Sequence, residues 1–112
     1  VRSTLQVLED HFAAVDSGDL DRILADYAPD AVLFTPAGVV RGRDALRDAF
    51  AEFLRQWARR LERFELLRQD AVGEVGYIVW RCGDQVPLAT DTFVVRDGRI
   101  VAQTFACHVA HP

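Results

Sequence analysis

The chain has 112 residues, half of them apolar and 27% charged, with a net charge of −4 at neutral pH. That length suits a single domain, residues 1–112, with one hydrophobic core, and the composition excludes a disordered or fibrous chain. The acidic balance argues against nucleic acid as a partner, and no apolar run approaches the ~20 residues of a membrane span.

The opening residues Val1 to Gln6 carry no apolar signal-like stretch, so a cytoplasmic location is expected. Ser3 followed by Gln6 forms a capping-box pattern that predicts a helix from Thr4 to Asp16. Leu5, Leu8, Phe12 and Val15 recur at helical spacing as its apolar face. Ser17-Gly18 stops that helix. Asp19 caps a second one with Leu20, Ile23, Leu24 and Tyr27 as its stripe, ending before Pro29. Ala31 to Thr35 reads as a short strand, Val39 to Arg41 as another. A third helix runs from Arg43 or Asp44 to about Arg60, burying Leu46, Phe50, Phe53, Leu54 and Trp57. The arginines 55, 59, 60 and 63 read as its solvated side and end.

From Leu61 the period changes to that of strands. Four are predicted: Leu61 to Gln69, Glu74 to Cys82, Val86 to Arg96, and Arg99 to Val109. Asp97-Gly98 marks a hairpin, since glycine accepts the positive φ of a tight turn. Helices followed by an antiparallel meander make an α+β fold with the helices on one face of the sheet. Tyr77 to Trp80 and Phe105 to Cys107 lack polar alternation, so both sheet faces need cover. Cys82 and Cys107 show no metal or redox spacing, and read as free thiols that could face one cavity. No cofactor or metal motif is present, and none is expected.

Four strings carry a family resemblance: Phe12 to Asp21 (FAAVDSGDLD), Tyr27 to Val32 (YAPDAV), Gly42 to Leu46 (GRDAL) and Asp91 to Val101 (DTFVVRDGRIV). Together they resemble the nuclear transport factor 2-like superfamily, with its SnoaL-like polyketide cyclases, ketosteroid isomerases and limonene epoxide hydrolases. The resemblance spans nearly the whole chain and implies a cystatin-like α+β barrel. In it a cone-shaped, curved antiparallel sheet wraps around the N-terminal helices and encloses a deep cavity. It also implies a homodimer through the outer face of the sheet. One such fold hosts many chemistries, so it does not name a reaction.

Asp91 is the first candidate catalytic residue. It lies inside a strand, where a charged side chain is costly unless paired or protonated. Facing inward with Phe93 and Val95, it would be pushed towards the neutral form and could donate a hydrogen bond. The resemblance puts it where the isomerases keep a protonated aspartate that binds an oxyanion. His11 matches the position of their oxyanion-binding tyrosine, and is expected to donate to a substrate carbonyl or to pair with Asp91.

Two departures from the family pattern matter. Thr35 stands before Pro36 where the isomerases carry their carboxylate base, and a hydroxyl is too weak a base for that task. Ala89 and Phe105 stand where the epoxide hydrolases carry an arginine and a second acid. Neither mechanism is expected here. His108 depends on the hairpin register. A two-residue turn sets Asp91 opposite Thr104 and turns His108 to the Asp91 side, whereas a bulged loop sets Asp91 opposite Gln103 and turns it away. The family pattern favours the second. His111 is read as an exposed tail residue.

Tyr27, Phe34, Phe50, Leu54, Trp57, Trp80, Phe93, Gln103 and Phe105 are the expected pocket wall. The function expected is a cofactor-independent enzyme of proton-transfer chemistry, acting as isomerase, cyclase or hydrolase on an apolar carbonyl or cyclic molecule. The alternative is a non-catalytic ligand-binding or dimerisation module of the same fold.

Overall fold

Ser3 begins the first helix as its sequence suggests: its hydroxyl accepts from the Gln6 N–H at 3.1 Å, and Gly18, at φ 72°, closes the helix in the left-handed region. In the computed structural model, which describes residues 1–57 and 64–110, the helices are α1 (Thr4–Ser17), α2 (Leu20–Leu24) and α3 (Arg43–Trp57). The strands are β1 (Tyr27–Thr35), β2 (Gly38–Arg41), β3 (Phe64–Val72), β4 (Val75–Cys82), β5 (Val86–Arg96) and β6 (Arg99–His108). They form one six-stranded sheet in the order β2-β1-β6-β5-β4-β3, antiparallel throughout except where β1 runs parallel to β6. The sheet curves around the helices, which pack on one side of it. This is the α+β architecture expected. No described helix is long and apolar enough to cross a membrane.

The second helix is shorter than its stripe suggests. It stops at Leu24 because the Asp26 carbonyl accepts from the Ile100 N–H at 2.8 Å and Tyr27 pairs with Ile100. The sheet therefore captures Tyr27 as the start of β1, and Pro29 falls at the irregularity between Tyr27 and Val32 rather than at a helix end. The expected ends of the third helix and start of the next strand, residues 58–63, lie outside the described residues, as does His111.

Helix α1 also turns differently from its expected stripe. Val7, Leu8, His11 and Ala14 are buried, Phe12 and Val15 are part-buried, and Leu5 is exposed. Gly76 on β4 permits this orientation. A Cβ there would sit 2.7 Å from both Leu8 methyl carbons, so the missing side chain lets the helix lie against the sheet. Leu8, Ile23, Leu46, Phe93 and Ile100 anchor the core beneath it. Burying each such side chain stabilises the fold by roughly 1.5–3 kcal/mol.

The β5–β6 register settles the choice left open above, in a third way. Asp97 and Gly98 both have positive φ, 52° and 75°, and Arg96 pairs with Arg99 across a two-residue turn. The strand then bulges at Val101, so that Val94 pairs with Ala102 and Asp91 pairs with Phe105. The extra residue rephases β6 and turns both Ile100 and Gln103 inward. His108 is left exposed.

Candidate functional site

Helices α1 and α3, the β1–β2 turn and the inner face of β3 to β6 enclose a pocket of about 330 Å³. Phe12, Phe50, Phe53, Phe64, Phe93 and Phe105 line it together with aliphatic side chains such as Val15, Leu33 and Ile78. Among the described residues, few polar side chains stand against this apolar surface: His11, Thr35, Asp91 and Gln103. A small set of polar groups on an apolar wall is the usual make-up of a ligand site, where they fix orientation.

Asp91 is 6% exposed and is held by side chains alone. The Trp80 indole N–H donates to its Oδ1 at 2.8 Å, and the Gln103 amide donates to its Oδ2 at 2.8 Å. Trp80 is itself clamped by ring stacking, with Phe64 at 4.5 Å and Phe105 at 6.0 Å between centroids. Burial pushes the Asp91 carboxyl above the usual carboxylate range, against the two hydrogen bonds and the His11 charge, which favour the ionised form.

The chain of contacts continues away from Asp91. The Tyr27 hydroxyl donates to Gln103 Oε1 through a short hydrogen bond, and its oxygen lies 3.4 Å from His11 Nε2. On the other side of the ring, His11 Nδ1 is 3.6 Å from Asp26 Oδ2, longer than a full hydrogen bond and an ion pair only when the imidazole is protonated. Asp26 Oδ1 then accepts from Arg2 at 2.8 Å, and Arg2 also reaches Asp10 at 3.0 Å and the Gly98 carbonyl at 2.8 Å. Burial opposes the charge on Asp26, but His11 and Arg2 outweigh it and hold the carboxyl below its ordinary range. Burial, with the charges of Asp91 and Asp26, drives Tyr27 well above the ordinary phenol value.

Asp91, His11, Phe50, Trp80, Phe93, Gln103 and Phe105 all line the pocket. His11 and Asp91 share no direct hydrogen bond among the described residues; Tyr27 and Gln103 lie between them. Tyr27 stands behind the wall rather than in it. Phe34 is 47% exposed and points away, because Leu33 and Thr35 take the inward positions of β1. Trp57 is buried against Phe53 and Trp80 outside the lining, and Leu54 packs against the core, also outside the lining. The Thr35 hydroxyl is engaged in its own turn, donating to the Gly38 carbonyl at 3.1 Å and accepting from the Ala37 N–H at 3.2 Å.

Asp26 and Arg2 have no counterpart among the sequence candidates. Read as part of a helix, Asp26 fell on its polar side, and Arg2 lay before the first element. Neither cysteine lines the pocket. Among the described residues no group of three or more His, Cys, Asp or Glu side chains gathers as a metal site.

The sequence profile of the SnoaL-like domain matches residues 8–103. Among solved structures, a SnoaL-like protein of unknown function from Burkholderia thailandensis is similar at 24% identity and a TM-score of 0.80, covering 92% of each chain. A cystatin-fold protein from Novosphingobium aromaticivorans shares 18% identity at a TM-score of 0.74, over 95% of this chain and 99% of that one. The epoxide hydrolase/cyclase-like enzyme SalBIII, of pyran ring formation in the polyether salinomycin, shares 18% identity at a TM-score of 0.75, over 94% and 90%. At these identities the likeness is one of fold. No curated protein matches.

Proposed function

The chain belongs to the SnoaL-like domain family, and from that premise we propose that it is a cofactor-independent enzyme acting on an apolar carbonyl or cyclic small molecule. The reaction class is acid-assisted proton transfer, as in isomerisation, cyclisation or ring opening. Asp91 carries the reading: a carboxyl pushed towards its neutral form on an apolar pocket wall.

Each Asp91 oxygen accepts one hydrogen bond, which leaves a second lone pair on each for a proton directed at a ligand. A neutral Asp91 keeps that proton and donates a hydrogen bond through it to a carbonyl or ring oxygen, stabilising the negative charge developing there. His11 supports Asp91 from the far end of the Tyr27–Gln103 link. Thr35, tied into its turn, offers no base, which keeps the ketosteroid isomerase mechanism, with its carboxylate at that position, out of the proposal.

Thermal stabilisation by apolar ketones and lactones tests the reading. The parent should be stabilised, and Asp91→Asn should lose most of that shift while remaining folded. Equal shifts in both proteins would favour the passive ligand-binding module instead.

The same family membership supports a homodimer through the outer sheet face. Tyr77, Val79, Thr92, Val94 and Thr104 give that face little charge, and Tyr77 and Val75 are exposed on it. Sedimentation at micromolar concentration should show a dimer, which Tyr77→Arg would dissociate. A monomeric parent would remove this part of the proposal.

A further inference from the structure

The polar chain behind the pocket has a direction. Gln103 Nε2 donates to Asp91, so its Oε1 accepts from Tyr27; the Tyr27 oxygen is then left to accept from His11 Nε2. Every link is also able to run the other way. An Asp91 carboxyl bearing its proton on Oδ2 donates to Gln103 after a half-turn of the amide, whose nitrogen and oxygen exchange places almost without change of shape. The amide N–H then donates to Tyr27, the Tyr27 O–H turns to a bare His11 Nε2, and the imidazole proton sits on Nδ1 facing Asp26. In both directions each of these links joins a donor to an acceptor.

The ends of the chain are fixed by groups that can only donate. Trp80 holds Asp91 Oδ1 as an acceptor, and Arg2 holds Asp26 Oδ1 as an acceptor. The orphaned atoms agree with this layout, since His11 Nδ1 and Asp26 Oδ2 face each other buried and without another hydrogen-bond partner. Among the described residues, the Tyr27, Phe50 and Phe93 rings pack against the imidazole, and the charged groups acting on it are Asp26, with Arg2 behind it, and Asp91 across the chain.

We propose that Asp91 and His11 are the two ends of one reversible hydrogen-bond chain through Gln103 and Tyr27, with Asp26 as the positioning residue that fixes the imidazole. The direction decides what Asp91 presents to the pocket. With Gln103 donating, a proton on Asp91 is free for a ligand oxygen; with Gln103 accepting, that proton is held inside the wall. This deepens the acid role assigned above to Asp91 and rests on it for its functional meaning only.

Nitrogen-15 spectra of the histidines test the chain without any ligand, because they report which ring nitrogens carry protons, with His108 and His111 as references in the same sample. An asparagine at 91 must turn its oxygen to Trp80 and its amide to Gln103, so Asp91→Asn should strip the proton from His11 Nε2 and place it on Nδ1. An asparagine at 26 must turn its oxygen to Arg2 and its amide to His11, so Asp26→Asn should hold the proton on His11 Nε2, as in the parent. In a Tyr27→Phe background, Asp91→Asn should leave His11 unchanged. If Asp91→Asn leaves Nε2 protonated, or acts equally when Tyr27 is phenylalanine, the chain is refuted and only charge acts between the two residues. Gln103→Met makes the same cut should Tyr27→Phe fail to fold. Lost ligand stabilisation with intact histidine shifts would sink the acid role alone, and the converse would sink the chain alone.

Discussion

Asp26 and Asp91 are equally hidden, 5% and 6% exposed, yet they stand on opposite sides of the ordinary carboxylate range. Burial acts on both in the same sense, raising the pKa. Asp91 lies deeper below the surface, so burial weighs more on it, and the partners differ as well. Asp26 touches a guanidinium and faces an imidazole, whereas Asp91 is met by the neutral N–H groups of an indole and an amide. Neutral donors solvate a carboxylate incompletely, and a cation at contact distance does more. The Asp26 end is thus a charge pair with Arg2, and the Asp91 end is a carboxyl raised above its ordinary range beside an apolar pocket.

Four substitutions would break or sharpen this contrast. Gly76→Ala should have the largest effect, because a Cβ 2.7 Å from Leu8 displaces the helix that carries His11 between the two ends. A loss of about 1–3 kcal/mol in urea unfolding is expected, as for other overpacked contacts. An unchanged midpoint would mean that Leu8 moves aside freely.

Next comes Arg2→Met, which leaves Asp26 with His11 alone. Because the Arg2 side chain is one-third exposed (33%), the expected cost at pH 7 is about 1–2 kcal/mol, below that of a fully buried pair. Asp26 is depressed in the folded state, so its stabilising contribution is present above the unfolded pKa and lost as pH falls through the folded one. The difference between parent and variant should therefore shrink below about pH 4. A difference independent of pH would show that Arg2 acts by packing rather than by charge.

Asp91→Asn should behave oppositely. A carboxyl raised in the folded state costs nothing below its unfolded pKa and an increasing amount as pH rises towards the folded value. The variant should be more stable than the parent near pH 7, by about 1 kcal/mol, the usual scale for an imperfectly satisfied buried group. The two should converge near pH 4 and below. A variant less stable at every pH would overturn the claim that Asp91 is under desolvation strain.

The smallest effect is expected from Trp80→Phe, which keeps the ring between Phe64 and Phe105 but removes the N–H from Asp91. About 0.5 kcal/mol should be lost, the low end for a hydrogen bond, and the carboxyl carbon-13 titration of Asp91 should move further upward. A titration that stays in place would show that the indole N–H does little for the carboxylate.

Much of the fold was legible in the residue order. Ser3 and Gly18 bound the first helix through their own side-chain and backbone chemistry. The apolar face of α3 and the Asp97-Gly98 turn are equally local. The second helix was overrun because its stripe continues to Tyr27, while the competing strand partner, Ile100, lies over seventy residues away. The site was half legible. Asp91 stood out as a charge inside a strand and His11 through its place in the family pattern. Phe34 was misread, since an aromatic residue in a strand gives no sign of which face it takes until the register is known.

The sequence by itself determined most of the elements, the family to which the chain belongs, and the presence of an acid at 91 with a histidine at 11, because these depend on local spacing and residue type. Only the tertiary structure decided the polar connections. The bulge at Val101 brings Gln103 onto the Asp91 face, and capture of Tyr27 by β6 sets its hydroxyl between Gln103 and His11. The N-terminal arm carries Arg2 to Asp26. Each contact joins residues distant in the chain, and a one-residue change of register would undo it. What began as two separate candidates became one chain of hydrogen bonds for that reason.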